Sequence, residues 1–377
     1  MDLPRTLLVT NDFPPRVGGI QRTLHALWRH LPADRVAVFA PRWAGWEEFD
    51  AAEPYPIVRA EGEFVWPTPR ARARVLAAVE ETGAEVVLFG ATYPLALLGP
   101  ALVRAGIPYV AAAHGFEYWL SLAPGAHSLM RRATSRASRV AVMCSAFIAR
   151  VVRTAVPDAV PVSVMYPGAD LEVFRPDLDA DDLRLRHGLS DRPVVVCVSR
   201  LVARKGQDVL IRAMPRVRRR VPDAALLIVG DGPYRKTLEQ MAQEHAPRSV
   251  VFAGQVSERD LPASYAVGDV FAMPCRNRLG GLEVEGWGNV FIEAAACGRP
   301  VVVGDSGGAR ESVEDGRTGV LVDGRSVEHV ADAVAELLAD PELARRMGEA
   351  GRRRVEGFYT WPRAAAQLSG WLAEAAP

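Results

Sequence analysis

The sequence predicts two α/β domains, each built on a parallel sheet, and three observations lead there. Short apolar runs alternate with amphipathic helical segments along the whole chain, the pattern that buries parallel strands under crossover helices. The 377 residues, 49% of them hydrophobic, are enough to fill two cores. Glycine, proline and aspartate accumulate between Pro167 and Pro176, so the boundary is expected there, with a first domain over 1–168 and a second over 169–360. Strands are expected near Leu7, Val36, Val87, Val110, Val140 and Val164 in the first, then near Val196, Leu227, Val251, Val270, Val302 and Val320 in the second. The uncharged run from Val86 to Val103 is long enough to span a membrane, but Gly90, Pro94, Gly99 and Pro100 divide it into a strand, Val86 to Phe89, and a helix begun near Pro94.

The first strand, Thr6 to Thr10, runs into Asn11-Asp12-Phe13-Pro14-Pro15, and Gly18-Gly19 then opens a helix. Asp12 thus stands at the carboxyl end of a strand, where open α/β sheets bind ligands, and the glycine pair lets backbone approach one. A dinucleotide fold is the rival reading. It fails because no G-x-G-x-x-G follows this strand and because the second strand ends in Pro41-Arg42 without a ribose-binding acid. His114 ends the apolar strand Ile107 to Ala113, so its imidazole is expected to face a ligand and to hydrogen-bond a sugar hydroxyl.

In the second half, the strand Val194 to Val198 delivers Arg200 and Lys205 a few residues apart, a two-cation clamp for a diphosphate. Of the 45 Lys and Arg residues only Lys205 and Lys236 are lysine, so a lysine at 205 suggests a site that needs a compact, rotatable charge. Further on, Glu285 and Glu293 flank Gly286-Trp287-Gly288-Asn289-Val290 at a helix start. Free amides at Gly288, Asn289 and Val290 can take a diphosphate, Glu293 the two hydroxyls of a ribose and Glu285 those of a second sugar. Gly288 is expected to be glycine because a side chain would hold the phosphate off these amides. Asp177, Asp179, Asp181 and Asp182 could suggest a metal, but acids before a helix act far more commonly as caps, and no metal is expected.

The formal charge is zero, which excludes a nucleic-acid binder that relies on global charge. Cys144, Cys197, Cys275 and Cys297 lie scattered in apolar contexts without C-x-x-C spacing and read as reduced cytosolic thiols; residues 1–25 show no secretion signal. Between Glu117 and Asp158 there is no acid, yet Arg131, Arg132, Arg136, Arg139, Arg150 and Arg153 occur among Trp119, Leu120, Leu122, Leu129, Met130 and Phe147. Such a surface would be drawn to anionic lipid.

Together these motifs resemble the retaining family 4 glycosyltransferases of the GT-B fold, two Rossmann-like domains with parallel sheets facing across a cleft. The likeness runs through the Glu285/Glu293 pair, Arg200 and Lys205, Gly18-Gly19, Val229-Gly230-Asp231-Gly232-Pro233, Gly307-Gly308-Ala309-Arg310-Glu311 and Tyr166-Pro167-Gly168-Ala169-Asp170. Two longer motifs, Thr10 to Pro15 with Gly18 to Gln21 and Cys275 to Gly286, are similar to the actinobacterial phosphatidylinositol mannoside mannosyltransferases, which use GDP-mannose.

The resemblance implies mannosyl transfer with retention, with GDP-mannose as donor, no cofactor and a phosphatidylinositol mannoside as acceptor. Another nucleotide sugar (UDP-glucose or UDP-N-acetylglucosamine) with a different acceptor, or a GT-B epimerase, is the alternative. It further implies that Arg200 and Lys205 bind the diphosphate, Glu293 the ribose, Glu285 and His114 the transferred sugar, and the backbone around Val256 the base. Gly18, Gly19 and Asp12 would line the junction of donor and acceptor. A final helix, about 361–377, would cross back onto the first domain. The protein is expected to be a monomer or weak homo-oligomer, cytoplasmic and peripheral to the inner face of the plasma membrane.

Overall fold

The computed structural model describes residues 2–376; Met1 and Pro377, the outer limits of the expected domains, lie outside the described residues. The chain divides into two compact units, one of residues Met1–Pro167 with Trp361–Pro377 and one of Gly168–Thr360.

The first unit carries a seven-stranded, wholly parallel sheet. Its strands are β1 (Thr6–Val9), β2 (Val36–Pro41), β3 (Ile57–Ala60), β4 (Val86–Phe89), β5 (Tyr109–Ala113), β6 (Arg139–Val142) and β7 (Val162–Val164), in the order β3-β2-β1-β4-β5-β6-β7. β1, β2, β4 and β5 are buried at every position, as strands covered by helices on both faces must be. β3 is an edge strand that the apolar pattern did not announce. It holds a buried Arg59, whose guanidinium pairs with Asp50 at 2.6 Å and also donates to the carbonyls of Pro41 and Pro14. The helix expected near Pro94 is a 3-10 turn, Leu95–Leu98, followed by a short α-helix, Gly99–Arg104. The helix Trp361–Ala375 closes this unit by setting Trp361, Ala365, Leu368 and Leu372 against Leu27, Trp28 and Met165.

The second unit has a six-stranded parallel sheet of β8 (Val194–Val198), β9 (Ala225–Val229), β10 (Val250–Gly254), β11 (Val270–Met273), β12 (Val301–Gly304) and β13 (Gly319–Val322). The order is β10-β9-β8-β11-β12-β13. In both units the winding reverses between two adjacent strands, β1 and β4 in one, β8 and β11 in the other. Loops diverge from the carboxyl ends at such a point and leave a crevice, and open α/β sheets bind their ligands there.

Candidate functional site

In the second unit, the loop after β8 and the loop after β11 meet at the reversal point. Lys205, which ends the 3-10 turn Ala203–Lys205, brings its Nζ to 2.8 Å from Glu285 Oε2, and the two side chains are only 11% and 9% exposed. Arg204 Nε stands 3.6 Å from the same oxygen and its Nη1 3.9 Å from Glu283. These are ion-pair distances without hydrogen-bond geometry. Among the described residues, Glu285 Oε2 and Arg204 Nε are buried with no hydrogen-bond partner. With the Lys205 ammonium at 2.8 Å the charge on this oxygen is already met, and a carboxylate so held keeps acceptor capacity for a sugar hydroxyl.

The backbone of Glu285 is fixed from the loop after β12. Ser306 Oγ accepts the Glu285 N–H at 3.0 Å and donates to Asn277 Oδ1, while the Gly308 N–H donates to the Glu285 carbonyl at 2.9 Å. Gly307 has φ +53°, and a Cβ there would lie 2.2 Å from that carbonyl, so the glycine pair in this loop serves to seat Glu285.

Arg200 is exposed and has no ion-pair partner among the described residues. The helix Asn289–Ala296 starts beside Glu285, and the N–H groups of Gly288, Asn289 and Val290 make no hydrogen bond among the described residues. Gly288 has φ +93°, and a Cβ on it would meet the Phe291 ring at 2.7 Å, so its conformation and its packing require glycine in addition to any demand made by a phosphate. Glu293, one turn into this helix, is half-buried and accepts from the Tyr265 hydroxyl. Val256 lies in the loop after β10, partly exposed.

The corresponding point in the first unit gathers Asp12, His114 and Glu117. His114 Nε2 lies 2.8 Å from the Gly90 carbonyl. Burial pushes the imidazole below its usual 6.5, against the opposing pull of Glu117 and Asp12, so it is neutral at pH 7. A carbonyl can only accept, so Nε2 carries the proton and Nδ1 is left as an acceptor for a hydroxyl. Asp12 accepts from Gln21 Nε2 at 2.7 Å, and burial raises its carboxyl above the usual 3.8 despite Arg16 and His114. A Cβ on Gly18 would collide with the Gln21 side chain at 2.2 Å, so this glycine protects the Gln21 contact with Asp12; around Gly19 the space is open.

Glu117 is a contributor that the sequence reading did not single out. Its carboxylate is buried and accepts from the N–H groups of His114 (2.9 Å) and Gly115 (3.3 Å) and from the N–H and hydroxyl of Thr92. It therefore ties the loop after β5 to the loop after β4. Arg204 and Ser306 were passed over as well. Arg204 is one arginine among many in this chain, and no spacing connects Ser306 to Glu285.

Among the described residues no group of His, Cys, Asp or Glu is placed to hold a metal ion. Asp179, from the acidic cluster, accepts the Asp181 N–H at the start of the helix Asp181–Arg186, and Asp177 pairs with Arg175 at 3.6 Å.

Two parallel-sheet units, each with its winding reversed between adjacent central strands, make the GT-B fold, and comparison with solved structures agrees. HepE of Anabaena, solved in complex with UDP and glucose, superposes with a TM-score of 0.81 at 21% identity, covering 98% of this chain and 100% of that one. The sucrose-phosphate synthase of Thermosynechococcus elongatus gives 0.78 at 23%, with 98% of each chain covered. Residues 17–173 match the model of Glycosyltransferase Family 4 and residues 179–354 that of Glycosyl transferases group 1. The chain belongs to this glycosyltransferase family and is a hexosyltransferase. It is 48% identical to the GDP-mannose-dependent alpha-(1-6)-phosphatidylinositol monomannoside mannosyltransferase of Mycolicibacterium smegmatis over 97% of both chains. The protein of the same name in Mycobacterium tuberculosis is 46% identical over 98% of both. The GDP-mannose-dependent monoacylated alpha-(1-6)-phosphatidylinositol monomannoside mannosyltransferase of Corynebacterium glutamicum is 39% identical over 95% of this chain and 94% of its own.

Proposed function

We propose that this enzyme transfers mannose from GDP-mannose, with retention of the α configuration, to a phosphatidylinositol monomannoside, forming an α-1,6 linkage. The observation that carries the choice of donor and acceptor is the near-full-length identity to mannosyltransferases so named.

The chemistry follows from the site. As the anomeric carbon–phosphate bond breaks, negative charge grows on the diphosphate. Arg200, Lys205 and the amides at Gly288, Asn289 and Val290 oppose that charge, preorganised electrostatics that contribute several kcal/mol. Glu293 holds the ribose and the backbone around Val256 the base. Glu285 accepts hydroxyls of the sugar; in the first unit His114 Nδ1 is free to accept a hydroxyl, with Gly18, Gly19 and Asp12 assigned to the acceptor side. The leaving phosphate oxygen takes the acceptor's proton on the face it departs from, so no carboxylate acts as a covalent nucleophile. The donor is bound without a metal, and the enzyme works as a monomer or weak homo-oligomer.

A lipid acceptor calls for contact with a membrane, and no helix among the described residues is long and apolar enough to cross one. Of the six arginines in the acid-free stretch, Arg139 pairs with Glu374, and Arg153 is taken up by the carbonyls of Val156, Pro157 and Val160. Arg131, Arg132, Arg136 and Arg150 are exposed and without an ion pair among the described residues. Exposed Trp119, Leu122 and Leu129 accompany them, and Phe64 and Trp66 are exposed in the same unit. This surface is the proposed contact with anionic lipid at the inner face of the plasma membrane, each arginine adding about 1 kcal/mol.

The test is transfer from radiolabelled GDP-mannose to phosphatidylinositol monomannoside in anionic vesicles, with UDP-glucose and UDP-N-acetylglucosamine as competing donors. Labelled dimannoside that an α-mannosidase cleaves supports the assignment. Label from a uridine sugar, or donor consumption without acceptor as an epimerase would show, overturns it.

A further inference from the structure

A second basic pocket lies in the same unit as the proposed diphosphate clamp and plays no part in it. It has a volume of about 410 Å³ and is lined by Asp208, Arg212, Arg276, Asn277, Arg278 and Arg325, among others. None of Arg200, Lys205, Glu285 or the helix start at Gly288 lines it. Four arginines therefore line one cavity, against one lining carboxylate.

The local pairing leaves an excess of positive charge. Asp208 is buried and shared, 2.9 Å from Arg276 and 3.2 Å from Arg212. Arg276 Nη1 is buried without a hydrogen-bond partner among the described residues. Arg278 pairs with Glu283, which stands outside the lining, at 2.8 Å. Arg325 reaches no carboxylate among the described residues; its Nη2 donates to the Asn277 carbonyl at 2.6 Å. Guanidinium groups present rigid forks of donors that match the oxygens of a phosphate, and several converging on one concave space make a phosphate-class anion the fitting occupant. The loop that supplies Arg276 to Arg278 belongs to the long motif Cys275 to Gly286, of which the proposed mechanism uses only Glu285 at its far end.

The geometry points to a second anion site at this pocket, one that takes a phosphate group separately from the donor diphosphate. Its occupant would sit against the wall that carries the donor site. The Arg276 N–H donates to the Arg204 carbonyl at 2.9 Å, and Glu283 joins Arg278 to Arg204. Either a phosphodiester of a lipid headgroup or free phosphate has the required chemistry.

Calorimetric titration of inorganic phosphate into the intact protein already saturated with GDP tests the site, because the donor position is then filled. Binding is expected to persist under GDP and to weaken about tenfold in Arg325→Ser and in Arg212→Ser. Arg325→Lys should recover part of the loss. Both residues are at the surface, and an unchanged circular dichroism spectrum with GDP affinity within about twofold of wild type would show that the variants are folded. Glycerophosphoinositol in the same titration identifies the source. If it competes with phosphate and binds more tightly, the occupant is a lipid headgroup; if only inorganic phosphate enters, it is free phosphate. Either result sustains the site. Phosphate binding that GDP abolishes, that both serine variants retain in full, or that is absent altogether would overturn it.

Discussion

Replacing Glu285 with Gln keeps the shape of the site but leaves Lys205 almost buried without its counter-charge. At 2.8 Å and an effective dielectric of about 20, the gross attraction is about 6 kcal/mol. Most of this is offset by desolvation, but removing one partner of such a pair still costs about 3–5 kcal/mol, because the other charge stays behind. For a unit of this size each kcal/mol lowers the melting temperature by about 2–4 °C, so the second unit of the variant should melt about 10 °C below wild type. GDP changes the comparison. In the proposed clamp its diphosphate would supply the missing negative charge to Lys205, and a ligand that binds the folded form stabilises it by mass action. Scanning calorimetry with and without GDP should therefore show a larger GDP-induced rise in the variant than in wild type, while mannosyl transfer falls because the sugar has lost its acceptor. A variant that melts within about 2 °C of wild type, or one that GDP stabilises no more than wild type, would refute the coupling between Lys205, Glu285 and the diphosphate.

Arg200→Ala should lower turnover at least a hundredfold, on the order found when a transition-state charge partner is removed, without altering the melting curve, since Arg200 is exposed and has no ion-pair partner among the described residues; steady-state kinetics and calorimetry decide it. Gly288→Ala forces an alanine into φ +93° against the Phe291 ring and should destabilise the second unit by about 1–3 kcal/mol, read from denaturant unfolding, and weaken GDP in a binding titration. The raised carboxyl of Asp12 means that the folded state holds this proton more tightly than the unfolded chain does. Its favourable contribution is present below the ordinary value of 3.8 and is lost as pH rises through the raised one. Asp12→Asn should thus melt no lower than wild type at pH 7 while losing transfer activity. His114 has the opposite dependence, its folded value lying below 6.5, so it contributes stability above 6.5 that is lost as pH falls toward the folded value. His114→Gln should flatten that acid-side loss in melting experiments run across pH 5 to 7.

The strands that are legible in the sequence are the ones buried on both faces, because an unbroken apolar run such as Val194 to Val198 has no other stable place. β3 was hidden for the complementary reason. It is short, follows Pro54 and Pro56, and contains an arginine whose burial makes sense only once Asp50 and the carbonyls of Pro14 and Pro41 surround it. The candidate site divides along the same line. Lys205 and the Glu285/Glu293 pair stood out through residue choice and spacing, whereas the pairing of Lys205 with Glu285 joins positions eighty apart and needs two loops to meet. Ser306 and Glu117 act through backbone N–H groups, which have no sequence signature of their own.

The closing helix Trp361–Ala375 has a consequence for the order in which this chain is made. Residues Gly168–Thr360 form the second unit without interruption, so it has all its parts once the ribosome has passed Thr360. The first unit is translated earlier but is finished later, since Leu27, Trp28 and Met165 wait for Trp361, Leu368 and Leu372 to cover them. During synthesis, the half that begins the chain is therefore the last to be sealed, and a ribosome that stops before residue 361 releases a protein with one finished unit and one that still exposes its core.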